Sequence, residues 1–166
     1  MASVSTVVLA VVLLAASASA SASASAARLV ALRTGGGGDD VHDLLPQYGF
    51  PRGILPDNVA SYSLSDDGAF EIRLRAPCYV QFDQLVYYDR KISGKLSYGS
   101  VSSVSGIQAK KLFVWLPVTS IKSDSGSGMI EFYVGALSEK LPADQFEAIP
   151  ACKSNACGEN PKAASV

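Results

Sequence analysis

The stretch KISGKLSYGSVSSVSGIQAKKLFVWLPV, residues 91–118, is the clearest indication of the fold, because apolar residues alternate there with small polar ones. An alternation with a period of two places the apolar side chains on one face of a β-strand. Ile92, Gly94, Leu96 and Tyr98 share one such face. A glycine inside a strand indicates a bulge, a sharp bend or the close approach of another backbone. The stretch therefore predicts antiparallel strands with such a feature at Gly94.

The same period of two continues on both sides of this stretch. The clearest hairpin joins Tyr62 and Leu64 to residues 70–75 through the turn SDDG, in which Gly68 tolerates a positive φ. Short strands separated by Gly and Ser are typical of antiparallel barrels and sandwiches. Further strands are predicted at 79–82, 85–88, 91–98, 101–107, 112–120, 129–134 and 137–141. The predicted fold is mainly β, an antiparallel β-barrel-like domain of about eight to ten short strands wound into a closed shell.

Two short helical segments flank the strands. Val41, Leu44, Leu45 and Tyr48 recur at the spacing of one helical face, which predicts one N-terminal helix. Pro46 must make this helix short or kinked, because its ring clashes with the carbonyl four residues earlier. The segment LPADQFE near the end predicts a short C-terminal helical turn.

The chain divides into four parts. Residues 1–26 combine a short apolar run with alternating Ser and Ala, a pattern typical of a secretory signal peptide, although no Lys or Arg precedes the run. The run is too short to span a bilayer, so no transmembrane anchor is expected after cleavage. A Gly-rich linker at 27–39, a single β-barrel domain at 40–152 and a disordered tail at 153–166 follow. The protein is thus expected to be secreted and extracellular.

The charges do not indicate a polyanionic partner. The formal net charge is −1, and Lys and Arg are spread along the chain rather than clustered. No nucleic acid is therefore expected as a partner, and electrostatics alone does not imply an anionic membrane. The oligomeric state is left open.

Three cysteines would meet an oxidising compartment after secretion. One disulfide and one remaining thiol is the simplest arrangement. Cys78 with Cys152 is favoured over Cys78 with Cys157, because Cys157 lies in the polar tail. A link between Cys152 and Cys157 is the third possibility.

The sequence shows no catalytic constellation and no metal site. The single histidine, His42, falls on the predicted polar side of the first helix, and no G-x-S-x-G motif is present. Three Cys with one His do not make a zinc site, and no EF-hand spacing occurs. No catalytic residue, metal ligand or cofactor is therefore assigned.

Aromatic residues are the remaining candidates for a binding site. In residues 112–118 apolar side chains occupy both faces, which predicts a strand buried on both sides. Such a strand either packs in the core or lines a pocket. Trp115, Phe113, Tyr98 and Tyr88 are the predicted ligand-binding residues.

Several blocks of sequence, in order, resemble the plant family called domain of unknown function 538. The likeness runs from about Val41 to Cys152, with a phenylalanine at Phe50 where the family more often has leucine. It implies a compact β-barrel-like domain with a helix near its start, and no catalytic residues. Cys78 and Cys152 fall where the family places cysteines, which supports that pairing. The blocks are LPQYGFPRGILP, DDGAFEIRL, APCYVQF, YYDRKISGKLSYGSVSSVSGIQAKKLFVWLPVTSI and FEAIPAC.

Function is expected to be binding rather than catalysis. The leading hypothesis is a secreted, non-enzymatic protein that holds a small apolar or amphipathic ligand between the barrel and its helix. The resemblance implies lipid-like or pigment-like molecules, since likeness to lipid-binding defence proteins and contact with chlorophyll-like pigments have been suggested for the family. The alternatives are an extracellular module that contacts protein or polysaccharide, and an esterase-type hydrolase with His42 as its base.

Overall fold

The structure is a computed structural model that describes residues 40–154. The predicted signal peptide at 1–26, the linker at 27–39 and Cys157 lie outside the described residues. So does the predicted tail, apart from Lys153 and Ser154.

The N-terminal helix is short, as Pro46 predicts. Helix α1 spans Val41–Leu44, and the Asp40 carboxylate caps it by accepting a hydrogen bond from the His42 backbone N–H at 3.2 Å. From Leu45 to Tyr48 the chain tightens into a 3₁₀ turn that contains Pro46 and ends at Gly49, with a φ of 80°. A second 3₁₀ turn, Arg52–Ile54, leads to the strands.

Eight strands follow the helical segment, and all pair antiparallel. A 3₁₀ turn, Ala143–Phe146, follows the last strand and is the predicted C-terminal helical turn. The strands are β1 (Val59–Leu64), β2 (Ala69–Leu74), β3 (Cys78–Gln81), β4 (Leu85–Ser97), β5 (Ser100–Lys111), β6 (Val114–Asp124), β7 (Met129–Val134) and β8 (Leu137–Pro142).

The mainly β, antiparallel fold is confirmed, but the sheet is not a closed shell. Its order is β1-β2-β4-β5-β6-β7-β8, and β3 pairs with β4 beside β2. Strand β4 is long enough to pair with two short strands: its first half pairs with β3 and its second half pairs with β2. Within residues 40–154 no ladder joins β1 to β8, so the sheet curls around its core and stays open at these edges.

The predicted special role of Gly94 is confirmed. A Cβ built on Gly94 would lie 2.9 Å from the Phe70 ring of β2, closer than real side chains approach. The β4–β5 register also shifts between Ser93 and Lys95, which marks a bulge. Bulges bend a strand and increase its twist, so this point helps the sheet to curl.

The inner face of the curled sheet packs against the helical segment. Val41, Leu44 and Leu55 are buried together with inward-facing strand residues such as Ile92. The Tyr88 hydroxyl donates a hydrogen bond of 2.7 Å to the Ile54 carbonyl oxygen, which satisfies a polar group inside this apolar core.

The disulfide joins Cys78 and Cys152, with 5.4 Å between their Cα atoms, so the favoured pairing is confirmed. It fastens the end of the domain to β3. Lys153, where the predicted tail begins, still pairs with Tyr79 through two backbone hydrogen bonds of 2.9 and 3.0 Å. Ordered pairing therefore continues one residue beyond the disulfide.

The prediction that residues 112–118 form a strand buried on both sides is wrong. Lys111 pairs with Val114, so Leu112 and Phe113 form the two-residue turn between β5 and β6. Their side chains are 90% and 92% exposed. The apolar composition of this segment reflects a hairpin tip rather than a strand enclosed by two layers.

Candidate functional site

Two apolar cavities of about 50 Å³ each lie inside the domain. The inner cavity lies under the helical segment and is lined by Val41, Leu44, Leu55 and Ile92, among others. The outer cavity lies between the sheet and the C-terminal 3₁₀ turn, against Val86, Ala109, Leu141 and Phe146. Since one water needs roughly 10–15 Å³ of such volume, each cavity has room for only a few waters.

Three isoleucines form the partition between the two cavities. Ile54, Ile107 and Ile121 line both spaces, one from the helical segment and two from neighbouring strands β5 and β6. The cavities are therefore two halves of one apolar interior.

The outer cavity has one polar side. The side-chain amide of Gln84 and the side-chain carboxylate of Glu139 line this side. The Gln84 Nε2 donates to the Glu139 Oε2 at 2.5 Å, and the Lys111 ammonium forms an ion pair with the same oxygen. Partial burial alone would raise the pKa of Glu139, but the hydrogen bonds from Lys111 and Gln84 and the Lys111 charge lower it overall. Glu139 is therefore held as a carboxylate.

Three phenylalanines close the outer cavity. Phe146 lies between Phe82 and Phe132, with ring centroids 5.0 and 5.3 Å away. Phe146 is on the 3₁₀ turn Ala143–Phe146, which is a single turn. Few polar contacts hold this turn: the Ala143 N–H donates to the Gly128 carbonyl oxygen at 2.9 Å, and Gln145 donates to Asp83 at 3.0 Å.

The structure does not bring the four predicted binding residues together. Tyr88 lines the outer cavity, and burial raises the pKa of its hydroxyl. Trp115 packs on the opposite face of the sheet, with its ring 6.1 and 6.3 Å from the rings of Tyr79 and Tyr87. Phe113 is exposed at the β5–β6 turn. Tyr98, 74% exposed, lies at the β4–β5 turn, the other end of the sheet.

The predicted polar position of His42 is wrong. Its side chain is in the core, where Nδ1 lies 2.9 Å from the Arg52 carbonyl oxygen and Nε2 lies 3.9 Å from Asp40. The helix is so short that the 3₁₀ turn at Arg52 folds back over it, and this contact buries the ring. The position fits a structural role that joins two helical turns, and it gives no support to the esterase hypothesis.

Sequence reasoning missed the residues that shape the outer cavity. Phe82, Phe146, Gln84 and Glu139 come from three separate parts of the chain, and only the curl of the sheet brings them together. No local pattern marks them. Phe146 lies within the segment LPADQFE, which predicts only a helical turn, and Glu139 lies between Ser138 and Lys140 in a strand with several polar residues.

A wider polar cleft of about 310 Å³ lies at the opposite end of the sheet. Lys122, Asp124, Glu131 and Lys140 contribute charges to it, together with Ser100 and Ser123. The Lys122 ammonium lies 5.0 Å from the centre of the Tyr133 ring. This cleft is mixed in charge and open to solvent.

Two further properties concern the described part of the chain. Among residues 40–154 no three His, Cys, Asp or Glu side chains are grouped so that they could hold a metal ion. No helix within the same residues has the length and apolar character needed to cross a bilayer.

Comparison with known proteins identifies the family. The model of the family described as "Protein of unknown function, DUF538" matches residues 41–147, which include the whole sheet and both cavities. The chain belongs to this family. A similar protein in Arabidopsis thaliana, "Uncharacterized protein At5g01610", is 23% identical over 108 residues, which cover 63% of this chain and 61% of the relative. The match thus spans less than two thirds of that relative's length. No solved structure shows significant similarity to the chain.

Proposed function

We propose that this DUF538 domain is a secreted, non-enzymatic protein that binds a small apolar or amphipathic ligand in the outer cavity. The observation that carries the proposal is the asymmetry of that cavity. Its walls are aliphatic and aromatic, and its polar groups, Gln84 and Glu139, are joined to Lys111 on one side. Ligand sites combine apolar walls with a few placed polar groups in the same way.

The volume sets a condition on binding. Pockets for drug-sized ligands measure about 300–1,000 Å³, whereas the outer cavity measures about 50 Å³. A lipid-like or pigment-like ligand therefore needs the Phe146 side chain to move. Phe146 is on a single 3₁₀ turn whose backbone also packs against Gly53, so a local shift of this turn would have to accompany the movement of the ring.

The polar side determines how an amphipathic ligand would lie. Its apolar part replaces Phe146 between Phe82 and Phe132, and its polar group meets Gln84 and Lys111. A head group that accepts hydrogen bonds competes with Glu139 for Lys111. The preferred ligand is then an acceptor-bearing amphiphile such as a fatty acid or fatty alcohol.

Isothermal titration with decanoic acid and decanol tests the proposal. We expect saturable binding to the wild type. Phe146→Leu should strengthen it, because the smaller side chain leaves room where the ligand enters. Phe113→Leu is the matched control, since Phe113 is exposed and does not line the cavity, and it should bind as the wild type does. Absence of binding to both the wild type and Phe146→Leu, with both folded, would refute the proposal.

Secretion is tested separately by sequencing the N-terminus of the protein from the culture medium of expressing plant cells. We expect a first residue between Ser21 and Ala27. A retained Met1 would contradict the proposed signal peptide.

A second candidate function is favoured by the polar cleft. Its lysines, carboxylates and serines resemble the polar lining of carbohydrate sites more than an apolar pocket, and Tyr133 offers a ring beside Lys122. An extracellular module that contacts polysaccharide would use this end of the sheet. Lys122→Ala should then abolish binding to wall polysaccharide in a pull-down and leave decanoic acid binding unchanged.

A further inference from the structure

The tip of the β5–β6 hairpin exposes two large apolar side chains. The side chains of Leu112 and Phe113 are almost fully exposed to solvent, and Val114 beside them is also exposed. Scattered single apolar residues on a surface are ordinary, but a contiguous group at a protruding tip indicates a contact with another molecule.

The backbone conformation at this tip is unfavourable for a leucine. Leu112 has a φ of 56°, and a two-residue hairpin turn normally places Gly at such a first position. Among the described non-glycine residues only Ser103 shares a positive φ with it. Neither packing nor turn geometry therefore explains a leucine here, and such local strain is typical of functional positions.

The tip projects beyond the adjacent β7–β8 turn. The Gly135 N–H in that turn donates to the Pro117 carbonyl oxygen at 2.9 Å, so the turn is level with Pro117. Val114 lies three residues further along β6, which is about 10 Å at the usual rise of a strand. On the other side Val86 pairs with Ala109, so the turn between β3 and β4 lies beside Lys111. Leu112 and Phe113 therefore extend past the β7–β8 turn and lie next to the β3–β4 turn.

Cationic and amphipathic groups stand directly behind the tip. Between Ala109 and Pro117 the charged residues are Lys110 and Lys111, with no carboxylate among them. The Lys110 ammonium lies 5.9 Å from the centre of the Trp115 ring, and Lys111 pairs with Glu139 across the strand ends. Apolar residues at the front, with Trp and Lys behind, match the order of apolar, interfacial and charged layers in a bilayer.

We propose that the Leu112–Phe113 tip inserts into the surface of a lipid bilayer that contains anionic lipids. A bilayer needs no matching pocket, whereas a stable protein dimer buries about 800 Å² on each partner. Two or three side chains at a convex tip cannot supply that area, since even a large aromatic buries about 150–250 Å². Lys110 lies directly behind the tip, so a cation is available to anionic head groups although the net charge of the chain does not indicate such a partner.

The same end of the sheet carries the polar side of the outer cavity. Gln84 precedes β4 and Lys111 ends β5, so both lie beside the hairpin tip. Docking by the tip would bring the cavity entrance to the membrane surface. The docking proposal itself stands whether or not the cavity takes a ligand.

Sedimentation with vesicles of phosphatidylcholine and phosphatidylserine at three to one tests the docking. We expect the wild type to sediment with these vesicles and the emission of its single tryptophan, Trp115, to shift to the blue. The double variant Leu112→Gly/Phe113→Asn should lose at least tenfold in partition coefficient. Tyr98→Asn, which removes an exposed aromatic from the opposite end, should bind as the wild type does.

Thermal unfolding distinguishes docking from a role in folding. Gly followed by Asn suits the turn, so the double variant should unfold at the wild-type temperature or above it. A lower unfolding temperature together with unchanged vesicle binding would show that the tip serves the fold and would overturn the proposal. Wild-type protein that stays in the supernatant at millimolar lipid, or a variant that binds equally well, would also overturn it.

Discussion

The Ala148 carbonyl lies against the Cα of Gly53 so closely that no side-chain carbon fits between them. This contact packs the segment that follows the 3₁₀ turn Ala143–Phe146 onto the 3₁₀ turn Arg52–Ile54. Two hydrogen bonds extend it: the Asp57 N–H donates to the Pro150 carbonyl oxygen at 3.1 Å, and the Cys152 N–H donates to the Asp57 carboxylate at 2.9 Å. The end of the domain is thus fastened next to Phe146.

Gly53→Ala should lower the free energy of unfolding by about 1–3 kcal/mol, because the added methyl forces two backbones apart. Urea denaturation measures the change. Gly126→Ala is the matched control. A Cβ added to Gly126 would lie 3.4 Å from the nearest atom, an oxygen of the Asp124 carboxylate, so this variant should change stability little. Equal stability of the two variants would contradict the close packing described here.

The disulfide between Cys78 and Cys152 closes a long loop, with a sequence separation of 74. The chain-entropy model gives about 4 kcal/mol for a loop of this length. Cys78→Ser/Cys152→Ser should therefore lower the free energy of unfolding by up to that amount, measured by urea denaturation. Peptide mapping without reduction should recover Cys78 linked to Cys152 from the wild type, and a peptide that contains Cys157 in their place would disprove the pairing.

Tyr88 gives the fold a sensitivity to alkali. Burial raises the pKa of its hydroxyl above the usual 10.0, so the native state keeps a proton that the unfolded state releases. Its contribution to stability is complete below about pH 10 and falls as the pH rises towards the folded pKa. Urea titrations from pH 8 to pH 11 should show this fall.

Tyr88→Phe should remove part of that fall, because the variant has no hydroxyl to ionise. At neutral pH it should cost about 1–3 kcal/mol, since the Ile54 carbonyl oxygen loses its buried donor. Tyr98→Phe, exposed to solvent, should leave stability at neutral pH unchanged. An alkaline fall of the same size in Tyr88→Phe would assign the effect to other groups.

Glu139 gives a smaller dependence on acid. Burial opposes Lys111 and Gln84, but the pKa of Glu139 is lowered overall. Its stabilisation is therefore present above the usual pKa of 4.5 and is lost as the pH falls through the folded pKa. The pair is partly exposed, so less than about 1 kcal/mol is expected. Urea denaturation at pH 7 and pH 3 should show a smaller loss for Glu139→Gln than for the wild type. An equal loss would contradict this role.

The local pattern of the chain predicted most of the secondary structure. The hairpin with Gly68 at its turn, the mid-strand feature at Gly94 and the short helix before Pro46 all follow from the conformations those residues allow. The segment 129–134 was predicted with the observed limits of β7. In contrast, the predicted strands 85–88 and 91–98 are one continuous β4.

Errors arose where burial depends on residues far away in the sequence. His42 has the position of a polar-face residue, yet Arg52 folds back over it. Residues 112–118 have the composition of an enclosed strand, yet Leu112 and Phe113 form a turn. Composition cannot distinguish an apolar residue in a core from one on a tip, because the difference lies in what packs against it.

From the sequence alone an antiparallel β domain and the positions of its bends were predictable, because they depend on local conformational preferences. The sequence favoured Cys78 with Cys152 among three possible pairings, and the structure shows that disulfide. The open sheet, the position of Phe146 at an apolar cavity beside Glu139 and the exposure of Phe113 became visible only in the folded domain. Strand register and curl are set by packing across the whole sheet, and they determine which distant side chains meet.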